Sequence, residues 1–199
     1  MNVVLIDSPV ANLANIERAL RAVGASVERS ADAATIAASE KVVLPGVGSF
    51  GAAIGWLREA KLDAALQSQQ DHGGALLGVC VGHQLLFSSS DEMGVRKGLG
   101  LADGEVSKFQ TELPIPQIGW NLVNHDETSL LFEGVPSGTP FYFVNSYRAA
   151  DSRDAVARAN YGESFVAALT KKRLYGVQFH PEKSSSAGLR LLKNFVEKG

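Results

Sequence analysis

The first 90 residues alternate short apolar segments with longer segments in which apolar residues recur every three or four positions. The short segments predict β-strands, and the longer ones predict amphipathic helices. Predicted strands lie at 3–7, 27–29, 41–44 and 75–78, and predicted helices lie at 13–23, 33–38, 51–60, 62–71 and 81–88. Because parallel strands need crossovers and helices supply them, this order indicates a parallel sheet covered on both faces through about residue 90.

Capping and turn residues support these boundaries. Asn12 is placed to cap the first helix, and Gly24 is placed to end it. The Pro-Gly-Val-Gly sequence at 45–48 predicts a turn after the third strand.

The second half of the chain has a different pattern, in which short strand candidates are separated by turn residues. They lie at 106–109, 118–123, 141–144, 146–149, 156–160, 165–170 and 174–178, and a helix is predicted at 187–197. We expect hairpins here, attached to the parallel sheet. The chain has no internal repeat and no long linker, so residues 1–199 are predicted to form one three-layer α/β, flavodoxin-like domain with an antiparallel extension.

Composition narrows the class of protein. Hydrophobic residues make up 45% of the chain and charged residues 20%, as in ordinary soluble globular proteins. The net charge is −2 and no Lys/Arg stripe is present, which argues against nucleic acid as a ligand. The N-terminus lacks a basic leader, no apolar run reaches membrane-spanning length, and the one cysteine cannot form an internal disulfide. We therefore expect the protein in the reducing cytoplasm.

That cysteine lies in the sequence Gly78-Val79-Cys80-Val81-Gly82, between a predicted strand and a predicted helix. This is a cysteine version of the nucleophile elbow, whose small residues let the backbone turn sharply beneath the nucleophile. A buried structural cysteine is the alternative. The flanking glycines favour the nucleophile.

A thiol nucleophile needs a base, and His180 lies at a strand end before Pro181 and Glu182. Pro181 favours an extended backbone at His180. Residues two apart in an extended chain point to the same side, so Glu182 is placed to orient the His180 ring. By itself the His-Pro-Glu sequence is equally compatible with a surface turn.

The other three histidines are weaker candidates. His72 lies at a predicted helix end and His125 in a predicted polar loop, and we expect both to be solvated. His83 follows the nucleophile on its helix, where it could contact the site, but a packed or half-exposed structural role is the simpler interpretation. The histidines lack metal-ligand spacing, and the chain contains neither a Walker loop nor a dinucleotide fingerprint. We expect no metal and no cofactor.

An elbow enzyme also needs donors for the oxyanion of its tetrahedral intermediate. The N–H after the nucleophile, here that of Val81, supplies one, and a neighbouring strand-to-helix loop supplies another. Gly46, Val47 and Gly48 form the best candidate loop, although these glycines are equally compatible with a simple strand end.

Taken together, residues 44–48, 78–87 and 178–184 resemble the motifs of class I, triad-type glutamine amidotransferases, and the resemblance covers nearly the whole chain. Within that class, residues 45–51, 118–121, 142–147 and 182–184 resemble most the HisH-type glutaminase subunits of imidazole glycerol phosphate synthases.

The resemblance implies a mechanism. Cys80 attacks the side-chain amide of glutamine, His180 protonates the departing ammonia, Glu182 orients His180, and water hydrolyses the thioester. It also implies that four further residues hold the glutamine, namely Gln84, Glu92, Ser146 and Tyr147.

The resemblance implies a heterodimer with a HisF-like, barrel-shaped cyclase that uses the ammonia to make imidazole glycerol phosphate and aminoimidazole carboxamide ribotide. Residues implied near the partner face are Asn12, Asn15, Trp120 and Lys183.

Four positions depart from the pattern of those subunits. His83 stands where methionine is usual, Gln117-Ile118 replaces a His-Met pair, and Asn145 replaces histidine. None belongs to the triad. They leave open how the partner-facing surface works and whether the chain is a specialised paralogue.

Three alternatives keep parts of this interpretation. A glutaminase for another acceptor, of the anthranilate or carbamoyl phosphate kind, fits the fold, but Gly119-Trp120-Asn121 argues against it. A cysteine peptidase or γ-glutamyl hydrolase fits the elbow, whereas Gln84 and the His-Pro-Glu sequence favour an amidotransferase. A non-catalytic binding module predicts a damaged triad, and the triad is intact.

Overall fold

A computed structural model describes residues 1–9, 13–46 and 48–199. In chain order, its helices and strands are β1 (Asn2–Ile6), α1 (Leu13–Ala22), β2 (Ser26–Ser30), α2 (Ala33–Ala38), β3 (Lys41–Gly46), α3 (Phe50–Glu59), α4 (Leu62–Asp71), β4 (Ala75–Cys80), α5 (Val81–Leu85), β5 (Ser89–Ser90), β6 (Arg96–Lys97), β7 (Glu105–Lys108), β8 (Gln117–His125), β9 (Thr139–Asn145), β10 (Tyr147–Ala149), β11 (Ala155–Asn160), β12 (Ser164–Lys171), β13 (Leu174–Val177) and α6 (Ser185–Lys198). Short 3₁₀ helices lie at Leu130–Phe132 and Pro181–Lys183.

The main sheet has nine strands in the order β2-β1-β3-β4-β13-β12-β11-β8-β9. Strands β2, β1, β3, β4 and β13 pair in parallel. Strands β12, β11, β8 and β9 continue the sheet in antiparallel pairs. A smaller sheet has the order β10-β7-β5-β6. The α/β fold and the antiparallel extension predicted from the sequence are confirmed, but the large sheet is mixed and not mostly parallel, with four parallel and four antiparallel pairings.

The helices cover this sheet in two layers. The connection from β1 through α1 to β2 runs one way along the sheet, and the connections through α2, α3 and α4 run the other way. Right-handed crossovers therefore place α1 on one face and α2 to α4 on the opposite face. Helix α1 buries Leu13, Ile16, Ala19 and Leu20 along one stripe, as an amphipathic covering helix should.

The sequence pattern predicted that the parallel sheet ends near residue 90, but a later strand, β13, also belongs to it. Strand β13 pairs in parallel with β4, from Leu174↔Leu76 to Val177↔Val79. It is buried throughout, like β3 and β4, as expected for central strands with both faces covered. The pairing matters for the site because it brings the end of the chain beside Cys80.

The helix predicted at 81–88 is also shorter than expected and ends at Leu85. Backbone groups that a longer helix would use are bonded instead to the segment that follows. The Leu85 carbonyl accepts from Leu99 N–H at 2.8 Å, and Ser88 N–H donates to the Gly104 carbonyl at 3.1 Å. The chain leaves the helix here to form the smaller sheet.

Other predicted boundaries need correction or lie outside the described residues. Strand β3 continues through Pro45 and Gly46, where a turn was predicted, because it stays in register with β4 up to Gly46↔Cys80. The prediction that Asn12 caps α1 lies outside the described residues. In the described part of the chain, no helix has the length and apolar character needed to cross a membrane.

Candidate active site

Cys80 lies at the sharp corner between β4 and α5. It is the last residue of the strand, and its φ of 55° and ψ of −111° belong to neither strand nor helix. Such a conformation is rare for a residue with a side chain and is typical of a nucleophile elbow. The Cys80 Sγ lies 3.8 Å from the Val144 carbonyl oxygen of β9.

Small residues around Cys80 are required by close backbone packing. A Cβ on Gly82 would lie 2.0 Å from the Leu44 carbonyl oxygen, and a Cβ on Gly46 would lie 2.6 Å from Gly82 N. Real Cβ atoms do not approach other atoms so closely, so the end of β3 and the start of α5 can meet only through glycines.

His180 is held in place by its backbone. Its N–H donates to the Tyr142 carbonyl at 2.8 Å, and its own carbonyl accepts from Ser184 Oγ at 2.6 Å. The preceding residue, Phe179, is fully buried, with its ring 4.2 Å from that of Phe141. The imidazole is therefore fixed at the carboxyl end of β13, next to the elbow that ends β4.

Glu182 contacts the His180 ring directly, with 2.9 Å between Nδ1 and Oε1. The route differs from the prediction. The His180 backbone is extended, as expected before a proline, but Pro181–Lys183 forms a 3₁₀ helix, so a tight turn and not strand alternation brings Glu182 back onto the ring. A carboxylate on Nδ1 favours the tautomer with its proton there and leaves Nε2 for the thiol.

The environment of His180 changes its pKa. Burial by itself lowers the pKa of His180, whereas the neighbouring Cys80 and Glu182 side chains raise it to about 10. The favourable partners outweigh the desolvation, and the protonated ring is stabilised.

A cavity of about 350 Å³ opens beside Cys80, a volume typical of small-ligand sites. Of the residues singled out from the sequence, it is lined by Gly48, Cys80, Val81, Gln84, Glu92, Ser146, Tyr147, His180 and Lys183. Glu182 stands behind His180 and contributes instead to a separate cavity together with Asn15.

Two of the expected glutamine-binding side chains already have protein partners. Gln84 Nε2 donates to the Tyr147 carbonyl and to Gln178 Oε1, both at 3.0 Å. Glu92 Oε2 accepts from Phe50 N–H at 2.6 Å. Ser146 and Tyr147 follow β9 and face the cavity. The structure thus brings these residues together around one space.

The expected oxyanion donors are only partly described. Val81 and Gly48 line the cavity, and Gly48 has a φ of +86°. Gly46 lies just behind them at the end of β3. Val47 lies outside the described residues.

The outward side of β8 and β9, here called the outer face, is apolar. Ile118, Trp120 and Leu122 are 64%, 55% and 56% exposed and pair across the strands with Val144, Tyr142 and Pro140. The Trp120 and Tyr142 rings meet edge to face at 6.0 Å, and Lys183 Nζ lies 5.7 Å from the centre of the Tyr142 ring. Because Val144 and Lys183 also line the cavity, the outer face continues to the mouth of the site.

The remaining histidines differ from one another. His83 is completely buried, which fits the packed alternative and excludes the half-exposed one. His72 is exposed, with Nδ1 2.7 Å from the Ser68 carbonyl at the end of α4. The prediction for His125 was wrong, because it ends β8 and stacks on Phe132 at 4.4 Å instead of lying in a solvated loop. Among the described residues, no three His, Cys, Asp or Glu side chains come together as metal ligands.

Sequence reasoning missed part of the cavity wall. Pro116, Val144 and Asn145 line it, although Asn145 was noted only as a departure from a family pattern. The pairing of β8 with β9 brings them to the cavity, and no local sequence motif predicts that pairing. Alternation in β9, which points Val144 outward and buries Asn145, was the one available signal.

Comparisons with known proteins give the family, the relatives and the fold that this chain resembles. The family model described as glutamine amidotransferase class-I matches residues 4–198. Relatives named imidazole glycerol phosphate synthase subunit HisH include one from Moorella thermoacetica, 42% identical over 98% of this chain and 94% of its own length, and one from Chlorobium luteolum, 44% identical over 98% and 99%. A solved structure described as PurLQS from Thermotoga maritima has a similar fold, with a TM-score of 0.73 at 17% identity over 98% of this chain and 97% of that one.

Proposed function

The chain belongs to the class I glutamine amidotransferase family, and from this premise we propose that it is the glutaminase subunit of an imidazole glycerol phosphate synthase in histidine biosynthesis. Full-length relatives at 40 to 44% identity carry that subunit's name. The observation that supports the proposed chemistry is the arrangement at the Cys80 elbow, where Glu182 Oε1 lies 2.9 Å from His180 Nδ1.

In the proposed reaction, the raised pKa of His180 keeps the Cys80 proton on the ring, and the Cys80 thiolate attacks the side-chain carbonyl carbon of glutamine. The tetrahedral intermediate collapses as His180 gives that proton to the departing nitrogen, so ammonia and a glutamyl thioester form. Water then attacks the thioester, with the now neutral His180 as base, and glutamate leaves as the Cys80 thiolate and the protonated His180 are restored. Glu182 holds the ring so that Nε2 faces the sulfur throughout.

The residues around the cavity support roles for the rest of the proposed site. The N–H groups of Val81 and Gly48, two residues that line the cavity, are suitable donors for the oxyanion. Glu92 is an anion that suits the α-ammonium group of glutamine, and Gln84, Ser146 and Tyr147 complete the pocket wall.

Relatives named as subunits imply a partner chain, and we propose a barrel-shaped, HisF-like cyclase for it, with cytoplasmic residence for the pair. Neutral ammonia must reach the acceptor before solvent protonates it, so the glutaminase cavity has to be covered. The outer face supports this, since a contiguous apolar surface at the mouth of a site is typical of an interaction surface. Trp120 and Lys183 lie there, whereas Asn15 lies beside Glu182 and Asn12 is outside the described residues.

The test is a steady-state comparison of ammonia release from glutamine by the free chain, by the chain with the cyclase, and by that complex with its nucleotide ligand. We expect slow hydrolysis by the free chain and an acceleration of about tenfold or more in the liganded complex, equivalent to about 1.4 kcal/mol. Equal rates in all three would contradict partner gating and favour a stand-alone hydrolase.

Matched variants test the surface. Trp120→Ala and Leu122→Ala should weaken cyclase binding, because each removes an exposed apolar side chain from the outer face. Leu130→Ala is the control, since Leu130 is 38% exposed but lies on the 3₁₀ helix packed against α6. Equal loss of binding in all three variants would remove the outer face as the docking surface.

A further inference from the structure

Glu92 lies in the hairpin between β5 and β6, and its carboxylate crosses to another element. Oε2 accepts a hydrogen bond from the backbone N–H of Phe50 at 2.6 Å. Phe50 is the first residue of α3, and only Ser49 separates it from Gly48. The hairpin therefore holds the chain two residues after Gly48.

This contact is strong and well anchored. The first N–H groups of a helix have no partner within the helix, and an anion at that end is favoured by the helix dipole and by charge-assisted bonding. The Phe50 ring is fully buried, and Ser49 Oγ accepts from Ala52 N–H at 3.3 Å. A second hairpin residue, Arg96, packs against Gly51, where an added Cβ would lie 2.9 Å from its Nε.

The same carboxylate faces the cavity that contains Cys80. Tyr147 lines the same cavity. Burial raises the pKa of Tyr147, and the nearby charges of Glu92 and Asp91 raise it further. The Glu92 side chain thus contacts both the space proposed for the substrate and the backbone that follows Gly48.

We propose that Glu92 is a positioning residue for Gly48, the candidate oxyanion donor, which it holds in place through Phe50 N–H, and that the same carboxylate joins occupancy of the α-ammonium position to placement of Gly48. This inference rests on the proposed glutaminase function. Gly48 is one residue from the tethered peptide, so a shift at Phe50 moves the donor that has to meet the oxyanion. Donors act only when they lie within about 0.5 Å of their productive position.

Two substitutions at Glu92 separate the two contacts. Glu92→Gln keeps a carbonyl oxygen that can accept from Phe50 N–H but removes the charge, whereas Glu92→Ala removes both. Asp91→Asn is the control, because Asp91 carries the neighbouring charge in the same hairpin but does not line the cavity. Each variant is assayed as the complex with the cyclase and its nucleotide, by ammonia release from glutamine and from glutaramate, the analogue that lacks the α-amino group.

With glutamine, both Glu92 variants should raise KM, since each loses the counter-ion of the ammonium group. The kcat of Glu92→Ala should fall about tenfold below that of Glu92→Gln, a smaller loss than deleting an oxyanion donor. With glutaramate, Glu92→Gln should match the wild type while Glu92→Ala keeps its kcat deficit. Equal kcat values for the two variants on glutamine would overturn the proposal, even if glutaramate is a poor substrate.

Hydrogen exchange gives a readout that needs no turnover. The amide of Phe50 should exchange about tenfold faster in Glu92→Ala than in the wild type, and at the wild-type rate in Glu92→Gln and Asp91→Asn. Unchanged exchange in Glu92→Ala would overturn the tether. A wild-type complex that releases no ammonia from glutamine would instead contradict the proposed function and leave the exchange result to decide the role of Glu92.

Discussion

Two buried histidines lie in neighbouring regions of the fold, and their environments shift their pKa values in opposite directions. His180, at the carboxyl end of β13, has Glu182 and Cys80 as partners, and its pKa is raised to about 10. His83, in α5, has neither ring nitrogen hydrogen-bonded, and burial lowers its pKa to about 3. Burial is common to both, so the partners decide which ring can carry a proton.

The comparison is also one between two kinds of packing. The His83 ring meets Phe87 edge to face at 5.0 Å, and a Cβ on Gly176 would lie 2.5 Å from its Nδ1. It fills space between α5 and β13 as an apolar side chain would. His180 is instead held by hydrogen bonds to its backbone and ring. We infer that one region was built for proton transfer and the other for packing.

The largest expected effect comes from removing the reacting groups in the His180 region. Cys80→Ala should lower glutamine hydrolysis by about 10⁴-fold or more, and His180→Ala nearly as much, because nucleophile and base act as a unit. Glutamine binding by Cys80→Ala, measured by thermal shift, should be largely retained since only the attacking atom is lost. Substantial turnover in Cys80→Ala would refute the nucleophile assignment.

Glu182→Gln should have a smaller effect, with a loss of kcat about tenfold or more below that of His180→Ala, because an amide oxygen can still contact Nδ1 but stabilises a protonated ring less well than a carboxylate does. The measurement is kcat for the variant beside His180→Ala under the same conditions. If Glu182→Gln were the more damaging of the two, the roles of orienting group and base would have to be reassigned.

The contribution of protonated His180 to the free energy of unfolding should decrease as pH rises. A raised folded-state pKa means that the native state holds the proton more tightly than the unfolded chain. The stabilisation is fully present below the ordinary pKa of 6.5 and is lost as pH rises towards about 10. Urea unfolding at pH 6, 8 and 10 should show the wild type losing its advantage over His180→Asn by at most about 1.4 kcal/mol per pH unit. A constant difference would show that the ring is not stabilised as a cation.

The sequence was most informative where chemistry and local geometry coincide. Glycines at 78 and 82 predict the turn at Cys80, because the close approach of Gly82 to Leu44 forbids a side chain. The partnership of His180 with Glu182 was also expected, although its 3₁₀ geometry was not. The features that depend on pairing between distant strands could not be predicted from local sequence. Nothing near Leu174 signals that β13 pairs with β4, and nothing near Asn145 signals that it lines the cavity.

The smallest expected effect is at His83, where His83→Met should raise the free energy of unfolding by about 1 kcal/mol near pH 7, since two buried ring nitrogens without partners are removed. Methionine has a similar size and makes favourable contacts with aromatic rings such as that of Phe87. The gain should grow as pH falls below 6.5, because the unfolded chain then binds a proton that the folded ring, with a pKa of about 3, does not bind.

His72→Met is the control, an exposed site where the change in the free energy of unfolding should stay within about 0.5 kcal/mol. Urea unfolding at pH 5 and 7 measures both, and kcat for glutamine should be unchanged in His83→Met. A loss of stability that deepens in acid would mean that the His83 ring has a partner in solution, and the contrast with His180 would fail.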